Sequence, residues 1–181
     1  MNQLMSQNKR SFMDKLMSIY YRTKLNIRGS SVLFDSVVYL MRYPRNINLG
    51  PNVYVKHSAR LCPCNEEAKI MIGSRTTIGY NTLIFASGSI SIGSDCMIAP
   101  NVYLVDSDHG TELGQKMNIQ ANVVEPITVE DDVWIGTGAV ILKGTHIAEG
   151  CVIAANSVVK GRLEPFSIYA GAPAKKIGLR K

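Results

Sequence analysis

The sequence predicts a mainly β fold in which very short parallel strands are wound into a solenoid. From residue 129 onward, every sixth position carries a branched aliphatic side chain: Val129, Ile135, Ile141, Ile147, Ile153 and Val159. A period of six fits neither the 3.6-residue repeat of an α-helix nor the two-residue alternation of a long strand. It fits short strands joined by tight corners, because three strands and three corners then make one triangular coil of about eighteen residues. Stacked coils of this kind bury a continuous aliphatic column.

A second column supports the same geometry. It lies four residues after each aliphatic position and, after Val133, holds only small side chains: Ala139, Thr145, Cys151 and Ser157. Each member lies two positions before the next aliphatic residue, so both side chains point to the same side of a strand. The aliphatic pattern recurs upstream in other phases, at Leu49, Val55, Leu61, Ile72, Ile78, Ile84, Ile92, Ile98 and Leu104. Glycine follows the aliphatic residue at several corners, where tight turns favour it: Gly73, Gly79, Gly93 and Gly136.

The composition limits the classes of function. The chain has 181 residues, of which 46% are hydrophobic, and this suits one domain with a substantial core. No apolar run approaches the ~20 residues that span a bilayer, and the first ten residues lack the apolar core of a signal peptide, so we expect a soluble cytoplasmic protein. The net charge of +6 favours anionic ligands. A dense basic stripe with interleaved aromatic residues is missing, so nucleic acid is not an expected partner.

The four cysteines are expected to be reduced thiols, as in most cytoplasmic proteins. Cys62 and Cys64 form one close pair, but no second pair follows at the spacing of a zinc site, so a structural metal is only weakly supported. Cys96 and Cys151 fall in the small-residue column, and this predicts that both lie in the core.

The repeat occupies residues 46–165 and leaves segments at both ends. Residues 1–45 are predicted to form a helical cap, because apolar residues recur at helical spacing within residues 11–24. A cap would cover the open end of the solenoid. The alternative is a helix at a membrane surface, given the nearby cations Lys9, Arg10, Lys15, Arg22 and Lys24. Residues 166–181 are predicted to form a turn and tail, with residues 174–179 as a short helix or tail.

The repeat is interrupted between Leu104 and Val129. Turn-forming residues are frequent here, and they predict a loop of residues 105–126 that leaves the solenoid and returns to it. A connection of this length is often functional. His109 lies within it. Its residue type leaves two interpretations open, a catalytic base or a solvated surface histidine.

Three segments, IGSDCMIAPNVYLVDSDHG, EPITVEDDVWIGTGAVILKGTHI and SIYAGAPAKKI, resemble the hexapeptide-repeat acyltransferases. Within that family, the chain is similar to the galactoside and maltose O-acetyltransferases and to the O-acetyltransferases of surface-polysaccharide pathways. The resemblance covers residues 46–178 and implies a left-handed parallel β-helix. This hand is unusual, because crossovers between parallel strands are right-handed in about 98% of cases. The resemblance also implies acetyl-CoA as acyl donor, bound between subunits of a homotrimer, and a saccharide hydroxyl as acceptor.

The resemblance further implies roles for individual residues. His109 stands where the family has its general base, and neutral imidazole can take the proton of an alcohol as it attacks a thioester. Asp106 or Asp108 could orient the ring, and a backbone carbonyl could do so equally well. The implied contacts to acetyl-CoA are Trp134, Thr137, Ala155, Lys160 and Lys175.

The acceptor side departs from the family pattern. Maltose-type enzymes have an asparagine and an aspartate where this chain has Gly79 and Ser87, and Asn81 lies close to the first position. We take Asn81 and Ser87 as candidate acceptor contacts. Three other functions stay open: N-acetylation of an amino-sugar, a metal enzyme like the gamma-class carbonic anhydrases, and a non-catalytic scaffold. A lipid-linked acceptor would bring the protein to a membrane periphery.

Overall fold

The computed structural model describes residues 11–27, 31–35 and 37–181, and its body is a parallel β-solenoid with three faces. Residues 1–10, the first part of the predicted cap, lie outside the described residues. The first two coils consist of β1 (Asn26–Ile27), β2 (Leu33–Phe34), β3 (Tyr39–Leu40), β4 (Ile47–Leu49), β5 (Tyr54–Val55) and β6 (Arg60–Pro63). The next two consist of β7 (Lys69–Ile72), β8 (Thr77–Ile78), β9 (Leu83–Ala86), β10 (Ser89–Ile92), β11 (Met97–Ile98) and β12 (Tyr103–Val105).

A two-stranded excursion, β13 (Ser107–His109) and β14 (Asn122–Val124), separates coil 4 from coil 5. Coils 5 and 6 follow as β15 (Ile127–Val129), β16 (Trp134–Ile135), β17 (Val140–Ile141), β18 (His146–Ile147), β19 (Val152–Ile153) and β20 (Val158–Val159). The chain ends with β21 (Arg162–Leu163), β22 (Ser167–Ala170) and β23 (Lys175–Leu179). Two short 3-10 turns lie at Pro44–Asn46 and Met117–Ile119.

The three faces are stacks of equivalent strands. Face A has the order β1-β4-β7-β10-β15-β18-β21, face B has β2-β5-β8-β11-β16-β19-β22-β23, and face C has β3-β6-β9-β12-β17-β20. Strands pair in register, so that Ile47, Ile70, Ile90 and Ile127 follow one another up face A. All four are fully buried. The predicted aliphatic positions lie two residues further along the same strands, pair in the same register and are also buried: Leu49, Ile72, Ile92 and Val129. The in-register stack therefore converts the period of six into a continuous apolar column, as the sequence predicts.

The small-residue column also lies inside the solenoid. Ala139 and Cys151 are fully buried, and the buried polar members are satisfied by hydrogen bonds. The Thr145 hydroxyl donates to the Leu142 carbonyl at 2.6 Å, and the Ser157 hydroxyl accepts from the Gly171 N–H at 3.2 Å. Polar residues are tolerated here because the corners bring backbone groups within reach.

The cysteines fit the prediction of core positions. Cys96 and Cys151 are fully buried, Cys62 is buried, and none of the four forms a disulfide within the described chain. Burial raises the pKa of the Cys96 thiol to about 11 and also raises the pKa of Cys151. Both groups therefore stay protonated near neutral pH and act as small apolar side chains.

The corner glycines have a steric reason rather than a conformational one. A Cβ atom on Gly73 would lie 2.5 Å from the backbone carbon of Gly93 in the next coil, and one on Gly79 would lie equally close to Ala99. Gly136 is similarly placed against the backbone N–H of Ala155. The coils thus approach so closely at these corners that only glycine fits. The left-handed backbone conformation is taken two residues later, for example by Asn81 with φ 57°.

The predicted N-terminal helix is present as α1 (Phe12–Arg22). Ser11 caps it by accepting from the Asp14 N–H at 3.1 Å, while the Asp14 carboxylate accepts from the Ser11 N–H at 2.9 Å. The Tyr21 ring packs against Phe34 with centroids 5.1 Å apart, so α1 covers the open end of the first coil. No helix in the described ranges is long and apolar enough to span a bilayer.

The solenoid begins before the predicted boundary at residue 46. β1, β2 and β3 pair in parallel with β4, β5 and β6, so these three strands form a coil rather than part of a helical cap. The pairs Val32 with Val38 and Phe34 with Leu40 already have the spacing of six; the first three of these residues are buried and Leu40 is partly buried against the core. The helical cap within the described residues is therefore only the segment before β1.

The C-terminal segment also differs from the expectation of a short helix or tail over residues 174–179. It forms β23, which runs antiparallel to β22 and pairs Ala170 with Lys175 and Ser167 with Leu179. The physical reason is that β22 ends face B and would otherwise present an unpaired edge. The chain reverses at residues 171–174 and satisfies that edge.

Gly73→Ala is predicted to destabilise the solenoid by about 1–3 kcal/mol, because the new methyl group would overlap the backbone of the next coil. Gly178→Ala in β23 is the matched control, since a Cβ atom there meets open space. Denaturant unfolding of both variants measures the difference. Equal stability of the two variants would contradict the proposed steric origin of the corner glycines.

Candidate active site

The corners of the coils stack into three edges, which organise the candidate residues. Edge CA joins each face C strand to the next face A strand, and edge BC joins each face B strand to the following face C strand. Ser87, the excursion, Lys143 and Lys160 lie on edge CA. Asn81, Thr137 and Ala155 lie on edge BC. Because face C separates the two edges, the predicted residues divide into two groups within one chain.

The excursion on edge CA is an ordered antiparallel ribbon. β13 and β14 pair Ser107 with Val124 and His109 with Asn122. The side chain of Gln120 fastens the tip, because its amide nitrogen donates to the carbonyls of Glu112 and Gln115, both at 3.0 Å. The amide oxygen of Gln120 accepts from the Glu112 N–H at 2.9 Å. The predicted protruding loop is thus a ribbon with a fixed tip.

His109 lies near the end of β13, exposed and lining an open cleft of about 690 Å³. Its ring makes no hydrogen bond to any residue that the structure describes, so both ring nitrogens can contact a ligand. The cleft is lined by both strands of the ribbon, by the tip and by the next coil: Asp108, His109, Gly110, Thr111, Glu112, Gln115, Ile119, Gln120, Ala121, Asn122, Val123 and Lys143.

Asp106 does not lie where a carboxylate could orient the ring of His109. Its carboxylate is fully buried, and the two oxygens accept from the backbone N–H groups of Ser87 at 2.6 Å and Gly88 at 2.8 Å. Its carbonyl accepts from the Glu125 N–H at 3.0 Å. Asp106 therefore joins the root of the ribbon to the coil below, and orienting His109 is not its role in this structure.

Asp108 is exposed and lies beside His109 in the chain, but its carboxylate is directed toward a cation. The nearest charged group is the ammonium of Lys143, at 3.8 Å. The described residues include no hydrogen bond between Asp108 and the His109 ring. Neither predicted carboxylate thus orients the imidazole in the isolated chain.

Lys143 is a candidate functional residue that sequence reasoning missed. Its side chain is only 9% exposed, and its ammonium donates to the Glu125 carboxylate while lying near Asp108. Asp108 belongs to β13 and Glu125 follows β14, so one lysine holds both strands of the ribbon to coil 5. Nothing local in the sequence marks this role, because its partners are 18 and 35 positions away in the sequence.

The predicted acceptor residues lie on different edges. The Ser87 hydroxyl lies 2.8 Å from the Ser107 hydroxyl and 3.3 Å from the Cys64 sulfur, directly below the ribbon. Asn81 occupies a corner on edge BC, where its N–H donates to the His57 carbonyl at 3.2 Å. Only Ser87 therefore shares an edge with His109.

The predicted acetyl-CoA contacts are also divided. Thr137 and Ala155 are exposed and stack on edge BC, where the Thr137 carbonyl accepts from the Asn156 N–H at 2.9 Å. Trp134 is 49% exposed on face B and borders a largely apolar cleft of about 340 Å³. Lys175 begins β23, beyond the last corner of edge BC, and Lys160 is on edge CA.

The other two histidines are separate from His109. His57 is exposed at a corner of coil 2, and the His146 Nε2 is 2.6 Å from a Glu130 carboxylate oxygen on face A. That contact lowers the pKa of Glu130. Three histidines on one metal, as in the carbonic anhydrase alternative, are not brought together by one chain.

Lys143→Met is predicted to loosen the ribbon and to raise the pKa of Glu125. The hydrogen bond and charge of Lys143 hold the pKa of that carboxyl below its ordinary value, and Lys160 adds a smaller effect. Methionine retains an apolar stem without the charge. NMR titration of Glu125 and limited proteolysis of residues 106–126 measure the two effects. Lys160→Met is the control and should shift the pKa less; an equal shift would remove the special role of Lys143.

Two family models match the solenoid. "Bacterial transferase hexapeptide (six repeats)" matches residues 126–161, and "Hexapeptide repeat of succinyl-transferase" matches residues 69–106.

Among curated relatives, a probable acetyltransferase of Mycobacterium tuberculosis is 31% identical, over 64% of this chain and 39% of the relative. The galactoside O-acetyltransferase of Escherichia coli is 33% identical, over 61% of this chain and 54% of the relative. A putative lipopolysaccharide biosynthesis O-acetyl transferase, WbbJ, of the same species is 33% identical over 49% and 50%. The chain thus spans 39% to 54% of the length of these relatives.

Solved structures share the fold. A mutant of AntD, an N-acyltransferase from Bacillus cereus crystallised with dTDP and coenzyme A, matches with a TM-score of 0.78 and 22% identity, over 96% of this chain and 92% of that one. The polySia-specific acetyltransferase NeuO matches with a TM-score of 0.60 and 27% identity, over 86% and 69%. A coil of opposite hand would not superpose in this way, so the left-handed parallel β-helix is confirmed. The repeat, the relatives and the fold agree, and together they support a hexapeptide-repeat acyltransferase family for this chain.

Proposed function

We propose that this chain transfers an acetyl group from acetyl-CoA to a hydroxyl group of a saccharide, with His109 as general base. The observation that carries the proposal is the position of His109, exposed on an anchored ribbon and lining an open cleft, with both ring nitrogens free of described partners. A cleft of about 690 Å³ has room for a sugar residue. Two of the curated relatives are O-acetyltransferases by name, one for galactosides and one in lipopolysaccharide biosynthesis.

The chemistry requires a base that is neutral near pH 7. A saccharide hydroxyl is a weak nucleophile, and the imidazole of His109 would accept its proton as the oxygen attacks the thioester carbonyl. Collapse of the tetrahedral intermediate breaks the carbon–sulfur bond and forms the ester, and the imidazolium returns the proton to the departing thiolate. A covalent enzyme intermediate is not needed. The anchors at Asp106 and Lys143 serve this step by holding the ribbon in one position.

We also propose that the complete site forms between two copies of the chain in a trimer. His109, Ser87 and Lys160 lie on edge CA, whereas Thr137, Ala155 and Asn81 lie on edge BC of the same protomer. If edge BC of one copy faces edge CA of the next, the two groups meet in one groove. Lys160 and Lys175 would then supply positive charge for the phosphates of the cofactor. Cyclic symmetry gives such a head-to-tail contact and repeats the site at every interface.

A role in surface-polysaccharide biosynthesis is the most specific form of this proposal. It is supported by the names of WbbJ and NeuO, which concern lipopolysaccharide and polysialic acid. An amino-sugar acceptor is the alternative, since a neutral amine needs less help from a base. Paired hydroxyl and amino-sugar acceptors, tested with the same enzyme, separate the two.

His109→Ala is predicted to lower kcat for acetyl transfer by about 10²–10⁴-fold, because the acceptor hydroxyl loses its proton acceptor. Release of coenzyme A, measured over a panel of free, nucleotide-linked and lipid-linked saccharides, gives the rate. His146→Gln is the control: it lies on face A outside the cleft and keeps a donor for Glu130, so its rate should be unchanged. Wild-type turnover by folded His109→Ala protein would disprove the assignment of the base.

A mixing experiment tests whether the site is shared. His109→Ala disables edge CA, and Ala155→Asp places a charge on edge BC where the cofactor is expected. Each variant alone should be inactive. In an equal mixture with random assembly, half of the CA edges and half of the BC edges are intact, so about one quarter of the interfaces carry two intact edges. The mixture should therefore recover about one quarter of wild-type activity. Activity of size-separated mixed oligomers is the measurement. A complete lack of recovery, with mixed oligomers present, would place the whole site within one chain.

A further inference from the structure

The outer face of α1 exposes an apolar patch that is not covered by the part of the chain that the structure describes. Five large residues of the helix are exposed: Phe12, Met13, Leu16, Ile19 and Tyr20. At 3.6 residues per turn, all five fall within one arc of roughly 120°. A single exposed apolar residue needs no explanation, but a contiguous patch on one helix face indicates a binding surface.

The opposite face of α1 does the capping. Ser18 and Tyr21 are the buried residues of the helix, and each uses a hydroxyl to bind backbone of the first coil. The Ser18 hydroxyl accepts from the Phe34 N–H at 3.1 Å, and the Tyr21 hydroxyl accepts from the Val38 N–H at 2.9 Å. The helix therefore places its more polar face on the solenoid and its more apolar face outward. Capping does not account for this orientation.

Basic residues border the exposed patch. By helical geometry, Lys15 lies on one side of the apolar arc, and Lys24 follows just after the helix on the other side. The guanidinium of Arg22 instead donates to the Val32 carbonyl of the first coil at 3.2 Å. Asp14, the one acidic residue in the helix sequence, binds the Ser11 N–H with its carboxylate. An apolar strip with cations on its borders is the pattern of a helix that lies in the interface of an anionic membrane.

We propose that α1 is a membrane-surface helix, which inserts its outer face among the acyl chains of an anionic phospholipid bilayer and thereby docks this end of the solenoid. The long stems of the lysines can follow the apolar surface while the ammonium groups reach the lipid phosphates. A second copy of the chain is a poorer occupant. In a two-fold contact between two α1 helices, Lys15 and Lys24 of both copies would lie along the same apolar interface. These like charges would repel one another, because neither helix offers a carboxylate that could pair with them.

The inference is independent of the proposed chemistry, and its test needs no acceptor. The full chain is sedimented with vesicles of phosphatidylglycerol and phosphatidylcholine, and the bound fraction is compared with that for phosphatidylcholine alone. We expect binding to the anionic vesicles only. Ile19→Glu should lower the partition coefficient roughly tenfold or more, because an inserted apolar side chain is lost. Lys15→Gln with Lys24→Gln should also weaken binding, and added salt should then have less effect.

Ile177→Glu is the matched control. Ile177 is 66% exposed in β23 at the other end of the solenoid and Ile19 is 63% exposed, so the two variants change the same residue type at similar exposure. Circular dichroism establishes that both are folded. Equal binding of the two variants, or no sedimentation of the wild type with anionic vesicles, would overturn the proposal. So would a change of oligomeric state caused by Ile19→Glu alone, since that would identify a second copy as the occupant.

Discussion

In-register stacking of the coils is the constraint on which the rest of this structure depends. Each strand of two to four residues is too short to be stable alone, and it gains its hydrogen bonds and its apolar contacts only from the coils above and below. The stack fixes every inward position, as the fully buried isoleucines of face A illustrate. It also brings backbones so close at the corners that Gly73 and Gly79 cannot be replaced without displacement. Only the outward-facing residues and the edges can therefore hold different side chains, and these are the positions available for a functional site.

An excursion from such a stack must leave and return without disturbing the register. β12 ends at Val105 and β15 begins at Ile127, and their neighbours on both sides remain paired. Two buried charged residues keep the ribbon in place at its root: Asp106 binds two backbone N–H groups of the coil below, and Lys143 holds Glu125 from the coil above. Removing the Asp106 carboxylate would leave two backbone N–H groups without their acceptor, and removing Glu125 would leave the buried ammonium of Lys143 with only the more distant Asp108. The position of His109 therefore depends on groups that do not touch it.

Much of the solenoid could be predicted from the sequence, because a period of six is a local signal that repeats. The first coil was missed although Val32, Phe34, Val38 and Leu40 carry the same spacing, because a single coil offers too few repeats to stand out from a helical pattern nearby. β23 was missed for another reason. It forms because it pairs with the open edge of β22, and the sequence of residues 174–179 alone does not indicate that edge. The role of Lys143 could not be predicted for a similar reason, because its burial depends on partners that are distant in sequence.

The misassignment of Asp106 has a physical lesson for sites of this kind. Asp106 lies between β12 and β13, and its buried carboxylate is occupied by the backbone N–H groups of Ser87 and Gly88, so it is not available to the exposed ring of His109. The segment from Asp106 to His109 thus separates into one anchoring carboxylate, one carboxylate near the ammonium of Lys143, and a histidine without a partner among the described residues. In the proposed role of base, His109 would be positioned by its backbone rather than by a triad. In the proposed reaction, the bound acceptor or a neighbouring copy would orient the ring, and this agrees with the proposal of one site formed by edges BC and CA of two copies.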